Sequence, residues 1–555
     1  MAGSELDRKY DSALAAVTGP GGTIMLGRDG LNRAVVANLP ATLPGLFKLF
    51  CGMHAGVEAI VADEERLSFA GLDQWSDRLA VALAARGVAK GDRVAIAMRN
   101  CPAWVVAYMA ILKAGGIATL LNGWWQAHEL AHTLALTEPG LILADAPRAR
   151  RIADGGWAGE MIELAIEQPL GAALAPLLDG APGDHPLPDI APDDDATILF
   201  TSGSTGEAKG AVSTHRAVTS GTYSFALSLL TLRTILERDG RPPVNPLRTL
   251  VAVPFFHVTG EIPLLLNSFV IGRGMVLMPK WDALAALRLV ERERITYFLG
   301  VPTMSLEMMN RPEREQFDLS TLTDITAGGA PRPVAHVKRL AEAFPAAQPA
   351  LGYGLTETNA VGCGNYWSNY LAKPASTGRA LPLVEVAVVD DAGQLLPCGE
   401  TGEVAIRSAS NMRGYWNNDA ATRAAFTPDG WFRSGDVGHF DDAGYLFIVD
   451  RKKDIIIRGG ENISAAEVEA AIYACPAVAE AAVFGVADER LGEVPVGIVY
   501  PRPDSSLCDA ELRAFLAGQL AAFKIPAVMR FVAAPLPRLG TGKIDRVALK
   551  AGFAG

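Results

Sequence analysis

None of the six cysteines of this 555-residue chain (Cys51, Cys101, Cys363, Cys398, Cys475, Cys508) stands in a CxxC pair. Thiols scattered in this way argue against a disulfide framework and a structural zinc site, and they suit a reducing compartment. An unbroken apolar run is also missing. The most apolar stretch, from Leu250 to Met278, is interrupted by Pro254, His257, Glu261, Pro263 and Arg273, which makes it buried strand and helix rather than a membrane span. Asp7, Arg8 and Lys9 precede any apolar segment, so neither a signal peptide nor a transmembrane segment is expected, and a cytoplasmic location is. Positive charge is in deficit: 50 Lys and Arg face 61 Asp and Glu, for a net charge of −11. A surface of that sign repels nucleic acid and anionic membrane, while a local cluster of donors can still hold a small anion. Internal repeats and low-complexity segments are absent as well.

What is present is ordinary globular material, half hydrophobic and one fifth charged, and long enough for two or three cores. Leu72, Trp75, Leu79 and Leu83 keep helical spacing and stop at Gly87, Val94 to Met98 reads as a buried strand, and Trp104, Val105, Tyr108, Ile111 and Leu112 form a further apolar face. Alternation of this kind predicts α/β architecture with at least one mostly parallel sheet. The Pro- and Asp-rich stretches 179–195 and 237–248 read as surface loops. Toward the C-terminus the pattern changes. Ser464 and Glu467 form the signature of a capping box opening a helix through Val468 and Ile472, followed by an apolar strand at 481–486 and a second amphipathic helix. The fold expected is therefore α/β, with a large multi-sheet N-terminal domain over 1–450 and a small, mobile α+β C-terminal domain over 451–555.

The densest chemistry lies in Thr201-Ser202-Gly203-Ser204-Thr205-Gly206-Glu207-Ala208-Lys209-Gly210, directly after the apolar Ile198-Leu199-Phe200. Glycines let backbone N–H groups converge, hydroxyls add donors and Lys209 adds a cation, so the segment suits a polyphosphate. It is not a Walker A loop, because Ala208 stands where the second glycine belongs and Gly210 follows the lysine. It is not a nucleophile elbow either, because Ser202 precedes Ser204 where glycine is required.

The segment resembles the phosphate loop of the adenylate-forming superfamily, which comprises acyl- and aryl-CoA synthetases, peptide-synthetase adenylation domains and luciferase. Seven further motifs similar to that family's follow in order: Gly328-Gly329-Ala330-Pro331, Tyr353-Gly354-Leu355-Thr356-Glu357-Thr358, Gly402-Glu403-Val404, Ser434-Gly435-Asp436, Asp450-Arg451-Lys452-Lys453-Asp454, Gly459-Gly460-Glu461-Asn462 and Gly540-Thr541-Gly542-Lys543. The resemblance implies an ATP-dependent acid–CoA ligase using ATP, Mg²⁺ and CoA on a small carboxylic acid. It implies Mg²⁺ ligation by Glu357 and Thr205, α-phosphate binding by Thr356, adenine contacts from Tyr353, Gly354, Gly329, Ala330 and Pro331, and ribose binding by Asp436 with Arg451 beside it. Lys543 would bridge carboxylate and phosphate during adenylation. Lys453 would be the hinge about which the small domain swings to line a CoA channel with Gly459, Gly460 and Glu461.

Spacing alone favours a core histidine at His257, whereas the resemblance implies that it lies at the floor of the acyl pocket; Phe256, Val258, Thr259, Gly328, Gly352, Val361 and Asn365 are expected as further lining. Those side chains are small or apolar, with no basic residue for a second carboxylate, so an apolar monocarboxylate, fatty or aryl-alkanoic, is expected. Transfer to the thiol of a separate carrier protein stays open as the alternative, and a homodimer is compatible with the sequence. Two family-typical prolines are replaced, by Ala208 and Ala466. His128-Glu129-Leu130-Ala131-His132 matches the HExxH zinc motif, but without its other landmarks it reads as coincidence.

Overall fold

The computed structural model describes residues 3–202, 208–330, 332–452, 454–458, 461–503, 505–539 and 543–554. Two large sheets organise the first half of the chain. In a seven-stranded sheet the strands Arg93–Ala97, Ile117–Leu120, Leu141–Ala144, Met161–Glu163 and Asp195–Ser202 run parallel. In a nine-stranded sheet the strands Glu58–Ala62, Gly274–Leu277, Arg248–Val251, Tyr297–Gly300, Asp324–Ala327 and Gln348–Gly354 do the same. The expected parallel α/β architecture is present, and its core gathers Phe47, Trp104, Tyr108, Phe255 and Phe269 around helices that cover the sheets.

Local sequence explains the elements. The helix Phe69–Ala85 carries the Leu72-to-Leu83 spacing and is followed by Gly87 at φ 95°, a conformation glycine adopts without steric cost. Every residue of the helix Pro102–Lys113 is buried, which is why its apolar pattern is a continuous run rather than a stripe. The stretch from Leu250 to Met278 folds as strand, a π-helical turn over Gly260–Leu266, a short helix and strand. Among the described residues no helix is long and apolar enough to cross a membrane.

A four-stranded antiparallel sheet (Val384–Val389, Gly402–Ser408, Phe432–Phe440, Leu446–Arg451) precedes a final five-stranded sheet with its own core of Ile463, Val468, Ile472, Val483, Leu512 and Leu516. The helix Ala465–Tyr473 starts at Ser464, whose Oγ accepts from the Glu467 N–H at 3.0 Å. Only that half of the expected capping box forms, because the Glu467 carboxylate takes the Lys524 ammonium instead, at 2.7 Å. At Ala466 the N–H donates to Asp450 Oδ2 at 3.1 Å, a bond that a proline there could not make.

Candidate active site

Three parallel strands, Arg248–Val251, Tyr297–Gly300 and Asp324–Ala327, end at one crevice. The residues that follow them, Val253, Pro254, His257 and Thr259, then Val301, then Gly328 and Gly329, line a narrow cavity closed on its far side by Lys543. The cavity measures about 10 Å³, room for about one water. Crevices beyond the carboxyl ends of parallel strands are where open α/β sheets bind ligands, because there the chain leaves the sheet and loops can be shaped independently of the core.

Beside the crevice, the strands Asp195–Ser202 and Ala208–Thr214 pair antiparallel and set Thr201 opposite Lys209. Gly203, Ser204, Thr205 and Gly206, which join them, lie outside the described residues, as do Pro331, Lys453, Gly459 and Gly460; for Ser202 only the backbone is described. The short strand Gly414–Tyr415 pairs with this hairpin and carries Tyr415 over to Glu357: the Tyr415 hydroxyl donates to Glu357 Oε1 at 2.9 Å, and Lys209 Nζ lies 5.2 Å from the Tyr415 ring centroid. Glu357 sits in the one-turn 3₁₀ segment Thr356–Thr358. The next residue, Asn359, fastens that turn through its amide, which donates to Ser213 Oγ at 3.0 Å and to the Ser410 carbonyl at 2.7 Å. Burial raises the Glu357 carboxyl above its ordinary range, with the Tyr415 bond and Arg451 opposing.

Asp436 and Arg451 face each other across two antiparallel strands, and Arg451 Nε approaches Asp436 Oδ1 at 2.9 Å. The other oxygen, Oδ2, accepts from the Tyr353 hydroxyl at 2.7 Å. Each carboxylate oxygen has a second lone-pair direction, so the buried Asp436 can accept further hydroxyl donors without giving up either partner. Tyr353 stands on Gln348–Gly354, opposite Cys363. At the end of that strand a Cβ on Gly354 would lie 2.0 Å from the Ala360 carbonyl oxygen, so only glycine closes the turn leading to Glu357.

Lys543 reaches this centre from the far end of the chain. A Cβ built on Gly329 (φ 74°) would lie 3.6 Å from Lys543 Cε. Burial, with Arg451 adding to it and Asp436 opposing, brings the Lys543 ammonium down to about 8. His257, whose Nδ1 accepts from the Thr259 N–H at 3.2 Å, is pushed down to about 3 by burial and by Lys543, so it is neutral at working pH. Deprotonation of Lys543 removes the cation that the cavity presents. In the free enzyme, kcat/KM for ATP is therefore expected to fall as pH rises through about 8, about tenfold per further unit. A pH profile of ATP–pyrophosphate exchange from 6.5 to 9.5 checks this, and a profile flat across that range contradicts it.

The other pocket residues divide. His257, Thr259 and Gly328 line the cavity, and a Cβ on Gly352 would meet open space. Phe256 stacks edge-on to Trp124 at 4.9 Å, and Val258 joins the main core. Val361 is fully buried, and the Asn365 amide nitrogen donates to the Lys373 and Ser376 carbonyls at 3.0 Å each, outside the cavity lining. Ala330 is half-buried beside Gly329, and Glu461 is exposed on a hairpin opposite Arg458 and outside the lining. Val253, Pro254 and Val301 are lining residues that the sequence reading missed. Their signal was there: Val253-Pro254 and Val301-Pro302 each stand within two residues of the end of an apolar strand. In the HExxH segment, His128 and His132 are exposed and the Glu129 carboxylate accepts from the Gln126 N–H at 2.8 Å, closing the helix start.

The cofactor set can be tested on these residues. Among those described, no group of three or more His, Cys, Asp or Glu side chains could hold a metal ion by itself. Mg²⁺ does not require one; it is commonly held by one or two carboxylates together with substrate phosphates. A buried Glu357 carboxylate, destabilised as an anion by burial and bonded through Tyr415 to the strand that pairs with the hairpin of Thr201 and Lys209, fits that mode.

Residues 47–416 match the model of the AMP-binding enzyme family, and residues 467–543 match that of the AMP-binding enzyme C-terminal domain. The chain is 34% identical to the long-chain-fatty-acid–CoA ligase FadD13 of Mycobacterium tuberculosis, covering 87% of this chain and 93% of the relative. It is 35% identical to a feruloyl-CoA synthase of an Amycolatopsis species, over 86% and 92%. Its fold matches that of O-succinylbenzoate coenzyme A synthetase from Bacillus subtilis in complex with ATP and magnesium ion, with a TM-score of 0.78, 28% identity, and coverage of 91% of this chain and 99% of that one.

Proposed function

The chain belongs to the AMP-binding enzyme family, and we propose that it is an AMP-forming ligase joining an apolar monocarboxylic acid, fatty or aryl-alkanoic, to CoA. A carboxylate oxygen of the acid attacks the α-phosphorus of ATP while the bond to pyrophosphate breaks. The CoA sulfur then attacks the acyl carbon, the bond to the AMP oxygen breaks, AMP leaves and the thiol proton is released.

The observation that carries the reading is the meeting of Lys543 with Gly328 and Gly329 over an apolar crevice. Two anions must approach each other in the first step, so positioning and positive charge matter more than proton transfer. The Lys543 ammonium donates to the acid carboxylate and to the α-phosphate as charge builds there. Thr356 binds the α-phosphate, and Thr201 to Lys209 hold the terminal phosphates. Asp436 accepts from the ribose hydroxyls, Tyr353 stacks on the adenine, and Gly329 to Pro331 follow its edge. Glu357 holds Mg²⁺ together with the phosphates, an ion that supplies charge neutralisation when bound. Residues 1–450 bind ATP and acid; residues 451–555 carry Lys543 and turn about Lys453 to admit CoA. The only cation among the described cavity-lining residues is Lys543, which supports an acid with a single carboxylate. Six free cysteines support a cytoplasmic location.

AMP and pyrophosphate formation across fatty, aryl-alkanoic and dicarboxylic acids, with and without CoA, tests this. Turnover is expected to need an apolar acid and CoA; preference for a dicarboxylate overturns the acid class, and pyrophosphate release indifferent to CoA points to a carrier-protein thiol. In the same assay Gly328→Ala, whose Cβ would sit 3.7 Å from Thr259 Cγ2 without a clash, narrows the crevice. Its KM for the preferred acid is expected to rise about tenfold while a shorter acid is little affected.

A further inference from the structure

We infer that Arg546 and Arg538 are positioning residues: they clamp the two legs of the turn that carries Lys543 and thereby set how far that ammonium reaches into the crevice. The turn is narrow. The Leu539 N–H donates to the Lys543 carbonyl at 2.8 Å, the Asp545 N–H donates to the Pro537 carbonyl at 2.8 Å, and Arg538 and Ile544 form an isolated bridge between the legs. Below that bridge each leg ends on a glutamate of the small domain. On the entering leg, Arg538 Nη2 donates to Glu480 Oε1 at 2.6 Å, and the Leu536 N–H donates to Glu480 Oε2 at 2.7 Å. On the leaving leg, Arg546 Nη2 donates to Glu469 Oε2 at 2.6 Å, while the other Glu469 oxygen accepts from the Val483 N–H at 2.7 Å.

The two clamps share one design. Each glutamate uses one oxygen on a backbone N–H and the other on an arginine, so neither carboxylate can swing. Glu469 lies on the helix Ala465–Tyr473, and Glu480 and Val483 lie on the strand Val478–Asp488. Both anchors therefore belong to the regular core of the small domain. Arg546 also comes within 3.6 Å of Asp454, near the start of the small domain. The glutamate side chains are only 12% and 16% exposed, which keeps these ion pairs from being the freely screened kind that contributes little. Neither arginine lines the cavity. Their effect passes through Lys543 alone, and a displacement of about 1 Å at a reacting group can cost about 10²-fold in rate.

The clamp matters only if Lys543 acts in adenylation as proposed above, so the two half-reactions are measured separately on the full chain. Arg546→Met is expected to lower ATP–pyrophosphate exchange about 30- to 100-fold. Thioester formation from preformed acyl-adenylate should stay within about threefold, and Arg546→Lys should recover part of the exchange. Glu480→Gln, which keeps an acceptor for the Leu536 N–H, loosens the other leg and is expected to act in the same direction should Arg546→Met fold poorly. In a Lys543→Ala background either change adds less than about threefold. Equal losses in both half-reactions, or a penalty that persists undiminished without Lys543, overturns the clamp. Normal exchange in both clamp variants while Lys543→Ala has lost it overturns the clamp and leaves the role of Lys543 standing; exchange that survives Lys543→Ala overturns that role instead.

Discussion

Lys543→Ala is expected to lower ATP–pyrophosphate exchange about 10²- to 10³-fold, the usual effect of removing one preorganised donor from a developing anionic centre. Three features put the loss at the upper end. The ammonium is held where burial and Arg451 disfavour its charge, so bound anions gain more from it than from a solvated lysine. It lines the crevice with Gly328 and Gly329, and none of the other described lining residues carries a cation. It also comes from the far end of the chain, and on the proposed domain alternation the cation enters only when the small domain is docked. Thioester formation from acyl-adenylate should stay within about threefold, because in the proposed mechanism Lys543 acts only in the first transition state. Exchange and single-turnover thioester assays on the same preparation measure both. An equal loss in the two steps would mean that the substitution damages the fold rather than the chemistry.

Glu357→Ala is the second large effect, again about 10²- to 10³-fold on exchange. Here charge and geometry can be separated. Glu357→Gln keeps an oxygen for the Tyr415 hydroxyl, now bonded at 2.9 Å to Oε1, but carries no negative charge. It is expected to melt like the parent and still to lose nearly as much activity as the alanine variant, and the Mg²⁺ concentration giving half-maximal exchange should rise at least about tenfold. Glu357→Ala should in addition lose about 1 kcal/mol of stability, because the Tyr415 hydroxyl is left without its acceptor. A Mg²⁺ titration with thermal melts of the three proteins distinguishes these outcomes. A glutamine variant with parental activity would show that hydrogen bonding to Tyr415, rather than charge, is what the position contributes.

The site gathers residues far apart in the chain, such as Gly329 and Lys543, which explains why the sequence was readable only in part. What short contiguous segments could carry was the family: the run from Thr201 to Gly210, Tyr353 to Thr358 and the order of the motifs resemble the family to which the chain belongs. The alternation of strand and helix was legible as well, since period and burial act along the chain and need no knowledge of neighbours. The capping box at Ser464 was half right because its second partner, Glu467, had a competitor in Lys524, 57 residues on, that no local rule contains. Asn365 was expected in the pocket lining as a small polar residue beyond the motifs, yet on a strand opposite Leu351 and Gly352 its amide nitrogen donates to the carbonyls of Lys373 and Ser376.

What the sequence determined by itself was the class of fold, the acidic and reduced character of the protein, and an ordered set of residue types fit to hold phosphate and a carboxylate. Tertiary structure alone decided which of those residues meet. It brought Val253, Val301 and Gly328 to one crevice because parallel strands must end at the same edge of a sheet. It set Asp436 against Arg451 through strand register. It delivered Lys543 across 214 residues to Gly329 by docking a second, separately cored domain. Contacts of that kind depend on distances in space that no pattern along the chain encodes, and the charge and reach of each group at the site follow from them.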